Sequence, residues 1–150
     1  MSPLQVGDVA PEVPGVEFAD GPVGLFFYKV TCPTCQLAAP TMRHFERAFP
    51  GHVVGVGQDP EPELARFTQE YEMGIASVED APPYLLSDAY AVESVPTLYL
   101  VGADARVVDA VGAWDRNGFN RVASRLAELT GGAPILVSTP DDGRPDFKPG

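Results

Sequence analysis

The chain has 150 residues, enough for one domain with a real core. Its hydrophobic fraction of 45% is ordinary for a soluble globular protein, and no apolar run approaches the roughly 20 residues of a membrane span. A net charge of −11 argues against nucleic acid and anionic membrane surfaces as partners, and two cysteines cannot build a disulfide scaffold.

Met1 to Asp8 carries neither a basic region nor a long apolar core, so no secretory leader is read and the expected location is cytoplasmic. Residues 2–22 are rich in Pro and Gly and read as an irregular lead-in with one short strand at most. Val23 to Val30 is almost continuously apolar, the pattern of a central strand covered on both faces. Cys32-Pro33-Thr34-Cys35 follows, and then Gln36-Leu37-Ala38-Ala39, a run of good helix formers. The helix is expected to reach about Ala48, with a kink at Pro40 and a stop at Phe49-Pro50-Gly51. Leu37, Thr41, Phe45 and Ala48 form its expected core face, and His44 reads as an ordinary partly exposed residue.

His52 to Gly57 reads as the next strand. Asp59 is the expected cap of a second helix, whose first turn is acidic and whose inner face is Leu64, Phe67, Thr68 and Tyr71. Strand, helix, strand, helix implies parallel strands joined by a right-handed crossover. Residues 73–95 are mixed, with a short strand expected at 84–86 and a helical turn at 87–92. Val95-Pro96-Thr97 then leads into Leu98 to Val101, a turn at 102–105 and a returning strand at 106–111, an antiparallel hairpin. Asp115 is the expected cap of a last helix to about Leu129, with Phe119, Val122, Ala123, Leu126 and Leu129 inward and Gly131-Gly132 as its end. The domain is therefore drawn at 1–132. Residues 133–150 form a tail in which Ile135-Leu136-Val137 could dock as a strand and the rest reads as partly disordered.

The cysteine pair sits where a strand turns into a helix, and that position bears on its chemistry. The first helical turn has N–H groups without partners, and the helix dipole adds positive charge there. A thiolate at Cys32 would be stabilised by both, so its pKa should fall below the free value of about 8.5. Pro33 suits the first helical position, where its missing N–H is not needed. Cys35, one turn on and buried beside Cys32, could attack a mixed disulfide formed on it. A static disulfide and half of a zinc site are the other readings of the pair. Zinc needs about four ligands, and the other soft ligands are His44, His52 and three methionines. Lys29, three residues before Cys32, could stabilise the thiolate or help move a proton from Cys35, or it could snorkel to the surface. Tyr28 and Trp114 read as core residues, with the substrate groove as the alternative.

The order of strand, Cys32-Pro33-Thr34-Cys35, Pro40-bearing helix, strand, helix, Val95-Pro96-Thr97, hairpin and final helix resembles the thioredoxin superfamily, over about residues 4–130. Within it the chain is most similar to thiol–disulfide oxidoreductases of the TlpA/ResA type. The resemblance implies an α/β fold with a central mixed sheet, parallel strands plus a C-terminal antiparallel hairpin, flanked by helices. It implies Cys32 as the exposed nucleophile, Cys35 as the resolving thiol and Pro96 as a cis-proline against the pair. Val95 would offer backbone groups to a substrate strand, with Thr31 and Pro33 beside it in the substrate contact. The implied partners are a disulfide-bearing protein or small-thiol substrate and a reductant that regenerates the dithiol, with no cofactor or metal and a monomeric chain. Three positions depart from thioredoxin's pattern. Phe26 stands where thioredoxin has a buried acid, Thr31 where the family often has Trp, and Pro33-Thr34 where thioredoxin has Gly-Pro. The missing acid removes the usual proton relay to Cys35. Two alternatives accompany this reading. A peroxiredoxin-type peroxidase would need Pro and Thr seven and three residues before its cysteine, where this chain has Leu25 and Lys29. A non-catalytic redox-sensing module of the same fold is the other.

Overall fold

Strand β1 (Val23–Tyr28) has all six residues buried, because neighbours flank both of its edges and cover both of its faces. The computed structural model describes residues 3–150, so Met1 and Ser2, the start of the lead-in and of the segment read for a leader, lie outside the described residues. The parallel neighbour of β1 is β2 (Val53–Gly57), which pairs in turn with β3 (Ser77–Glu79), also parallel. On the other edge lies antiparallel β4 (Thr97–Val101), which turns back into β5 (Val107–Gly112). The sheet order is β3-β2-β1-β4-β5, mixed as the sequence implied.

Alternation along the strands sorts the core into two layers. Phe26 and Tyr28 of β1 share one face with Leu98 and Leu100 of β4. Helices α1 (Pro33–Ala48) and α2 (Glu61–Glu70) cover that face with their buried residues. Leu25, Phe27, Tyr99 and Val101 point the other way, onto the lead-in residues Ala10, Val13 and Phe18 and onto Tyr90, which ends α3 (Leu85–Ala89). The last long helix, α4 (Arg116–Thr130), joins the first layer through Phe119, Val122, Ala123 and Leu126. Two glycines of β2 make room in this layer. A Cβ on Gly57 would overlap Leu64, and one on Gly55 would overlap the Ser77 hydroxyl and crowd the Tyr28 ring.

Several local expectations are corrected. Asp59 does not cap α2. The N-cap is Pro60, without a side-chain bond, because the Asp59 carboxylate is taken by the Val30 N–H at 2.9 Å and the Lys29 ammonium at 3.5 Å. The strand expected at 84–86 is absent. Tyr84 turns the chain in the left-handed region at φ 61°, and the Asp80 carboxylate accepts the Leu86 and Ser87 N–H groups, which starts α3 instead. Edge pairing goes to 77–79, next to β2. α1 continues past Pro40 to Ala48 as expected, but its deepest row is Ala38, Met42 and Phe45 with Thr41, leaving Leu37 and Ala48 half-buried. Leu129 is 47% exposed, since it falls in the last turn of α4, where residues 128–131 are all exposed.

The largest difference concerns 133–150. The segment read as partly disordered is laid down along α4 and the start of α1, and Ile135-Leu136-Val137 docks through buried Val137 without forming a strand. Polar groups hold it. The Asn120 side chain bonds the Val137 and Ser138 N–H groups and the Ser138 carbonyl. Arg116, only 5% exposed, donates to the Ser138 hydroxyl at 3.0 Å and the Arg144 carbonyl at 2.6 Å, and pairs with Asp142 and Asp146. A buried guanidinium requires such partners. Beyond it, β7 (Phe147–Lys148) pairs antiparallel with β6 (Trp114–Asp115).

Candidate active site

The N-terminus of α1 emerges from the end of β1, and Cys32 is its N-cap, with extended backbone at φ −85° and ψ 114°. Pro33 takes the first helical position, where its ring fits and its missing N–H leaves no orphan. The connecting loop is pinned at both ends. The Gln36 side-chain amide donates to the Val30 carbonyl at 2.9 Å, and the Cys32 N–H donates to the Lys29 carbonyl at 3.1 Å. The loop is therefore held in one geometry before any partner arrives.

The two sulfurs occupy different environments. Cys35 is fully buried and Cys32 is half-buried, and both are free thiols. The Cys32 pKa is pushed down to about 6. The chief cause is a hydrogen bond from the Cys35 thiol; the backbone N–H groups of Cys35, at 3.1 Å, and Thr34 add to it, as does the positive charge of Lys148. Burial works against the shift but is outweighed. The Cys35 pKa goes strongly the other way, raised first by burial, then by its bond to Cys32 and by the charges of Cys32 and Asp59. One sulfur is thus a thiolate at neutral pH and the other a thiol.

Alkylation of Cys32 by iodoacetamide should accordingly rise about tenfold between pH 5 and pH 7 and then level off. By the same sign, the thiolate stabilises the reduced fold at pH values above the unfolded thiol's pKa. That contribution fades as pH falls through about 6.

The head of β4 lies against the pair. The Val95–Pro96 peptide bond is cis, Pro96 is buried, and the Val95 carbonyl lies 3.5 Å from the Cys32 sulfur, which can donate to it only when protonated. Of the other residues singled out from sequence, Thr31 and Pro33 are exposed beside Cys32. Lys29 is turned to Asp59 and lies 5.7 Å from the centre of the Tyr84 ring. The charge of Lys148, in the tail, makes the smallest of the contributions that lower the Cys32 pKa. Tyr28 and Trp114 are wholly buried core residues. Among the described residues, no three His, Cys, Asp or Glu side chains converge as a metal site requires.

Three groups take part in the site in ways that their sequence positions do not announce. Thr34 is buried, and its hydroxyl donates to the Pro149 carbonyl at 2.7 Å. Lys148 was read as part of a loose tail. Asp59 ties the Lys29–Val30 turn to the end of β2. The one available signal was Arg116, a cation inside an otherwise apolar helical stripe, with Asp142 and Asp146 downstream to pair it.

No family model and no curated protein matches this chain in sequence. Solved structures do match it. The Mycobacterium tuberculosis protein dsbF is 26% identical, with a TM-score of 0.60 over 70% of this chain and 80% of that one. The thioredoxin domain of a thiol-disulfide oxidoreductase from Bacteroides vulgatus superposes with a TM-score of 0.70 at 19% identity, over 82% of this chain and 99% of that one. Peroxidoxin BcpB from Mycobacterium tuberculosis is 21% identical, with a TM-score of 0.64 over 85% and 97% of the two chains.

Proposed function

We infer that this chain, whose fold is thioredoxin-like, is a thiol–disulfide oxidoreductase that reduces disulfides through the Cys32–Cys35 dithiol. The observation that carries the reading is the division of labour between the sulfurs: Cys32 half-exposed with its pKa at about 6, Cys35 buried and protonated beside it. The Cys32 thiolate attacks one sulfur of a substrate disulfide. That S–S bond breaks, and the departing sulfur takes up a proton. The substrate is then held to Cys32 by a mixed disulfide, next to Val95 and Pro96. Cys35 loses its proton and attacks the Cys32 sulfur, the second substrate thiol leaves, and an internal disulfide remains. Two electrons have passed to the substrate, and a separate dithiol reductant must return them.

A Cys32 pKa of about 6 lies between the roughly 7 of strongly reducing pairs of this spacing and the roughly 3.5 of strongly oxidising ones. The couple acts as a reductant where the surrounding thiol pool is more negative than the couple itself. We propose a cytoplasmic setting and a monomeric chain. The setting is supported by cysteine usage, since both cysteines belong to the exchange pair and none serves a structural disulfide.

The likeness to a peroxidoxin gives one rival. Against it, the positions that would carry the peroxide-binding Pro and Thr hold Leu25, buried in the sheet, and Lys29, paired with Asp59. Supplying the reduced protein with insulin and, separately, with hydrogen peroxide distinguishes the two. The reading requires insulin disulfides to be reduced, and turnover of peroxide alone would replace it with the peroxidase.

A further inference from the structure

The exchange steps above draw on residues 144–150 only through the charge of Lys148, yet the whole segment lies across the place where they happen. The Pro149 carbonyl holds the Thr34 hydroxyl between the two cysteines. The Gly150 backbone rests so close to the Val95 carbonyl that a Cβ there would overlap it. Lys148 brings its charge near the Cys32 sulfur. The backbone edge at Val95, which an incoming extended segment would need, is therefore already covered by the chain itself. Cys32 nonetheless remains half-exposed, open to something small.

The segment is fastened most firmly at its root, near Arg144 and Asp146. β7 pairs with β6, the Trp114 indole N–H donates to the Pro145 carbonyl at 2.8 Å, and the Arg144 side chain reaches the Leu37 carbonyl at 2.9 Å. No apolar burial holds its outer end: Phe147 is 57% exposed, and Pro149 and Gly150 are exposed. Arg144 and Asp146 anchor the root of the segment on buried Arg116, whereas its outer end, 147–150, held by the β6 pairing and the Thr34–Pro149 hydrogen bond, opens at lower cost than the core it rests on.

We propose that residues 144–150 form a strap that occupies the docking edge beside Val95 and sets which substrates reach Cys32. Small disulfides react with the strap in place, whereas an extended protein segment must displace it. This rests on the oxidoreductase reading, but its test does not need turnover. Cys35→Ser protein is coupled at Cys32, through activated disulfides, either to a methylthio group or to a short unstructured cysteine-containing peptide. Amide hydrogen exchange is then followed over residues 144–150. The peptide adduct should speed exchange there about tenfold, and the methylthio adduct should leave it as in the uncoupled protein. Equal exchange in the two adducts, whether both protected or both released, would overturn the strap. An inactive wild-type enzyme would sink the oxidoreductase reading and leave this result intact. A second measurement uses the double variant Asp146→Ala/Gly150→Leu, which removes an exposed anchor and fills the contact with Val95. Its rate of Cys32 alkylation by a polymer-linked maleimide, relative to a small maleimide, should rise about fivefold. An unchanged or lower ratio counts against the proposal.

Discussion

Cys32→Ser is expected to lower disulfide reduction by about three orders of magnitude, to the background of the reductant alone, whereas Cys35→Ser should stall with substrate attached. The two thiols act in sequence, so their losses differ in kind. Without Cys32 no sulfur is both ionised and reachable, because Cys35 is buried with its pKa raised. Without Cys35 the first attack still occurs, since the Thr34 and Cys35 backbone N–H groups go on stabilising the Cys32 thiolate. The mixed disulfide then has no internal thiol to resolve it. Non-reducing electrophoresis should show a substrate-sized adduct on the Cys35→Ser protein that disappears with added dithiol. The same variant loses the hydrogen bond that most lowers the Cys32 pKa, unless the serine hydroxyl replaces it. Its alkylation should therefore need a higher pH.

Arg116→Ala is expected to cost about 3 kcal/mol of unfolding free energy. Its guanidinium is nearly buried and holds four separate points of the 138–146 segment: the Ser138 hydroxyl, the Arg144 carbonyl, Asp142 and Asp146. Truncation leaves those groups without their donor and opens a void beside the Trp114–Asp115 strand. Arg116→Lys should recover only part of the loss, because an ammonium cannot reproduce the planar fork that meets several acceptors at once. Urea denaturation followed by tryptophan fluorescence measures both, since Trp114 lies beneath this segment. A midpoint unchanged in Arg116→Ala would mean that the tail contributes nothing to stability.

The sheet and the reactive pair could be read from the sequence because each rests on local pattern. The apolar run at 23–28, the helix formers after Cys35 and the alternation in the hairpin each say what they are. Where the reading went astray, the deciding partner was distant in the chain. Asp59 looks like a cap until the Val30 N–H and Lys29, some thirty residues earlier, claim its carboxylate. Lys29, close to Cys32 in sequence, pairs with Asp59, while the charge of Lys148, from the far end of the chain, bears on the Cys32 sulfur. The tail is rich in Pro, Gly and Asp, a composition that signals disorder, and beyond buried Val137 it is held by a buried arginine and by β6. Polar pairing between segments about twenty or more residues apart leaves no periodic trace for pattern reading to find.

The most direct test follows sulfur and electrons together. Fully reduced protein is mixed with a limiting amount of insulin, without other reductant, then quenched in acid and mapped by mass spectrometry. One Cys32–Cys35 disulfide should appear for each insulin disulfide that opens. Insulin reduced while both cysteines remain thiols, or oxidised protein linked between chains instead of within one, would contradict the account.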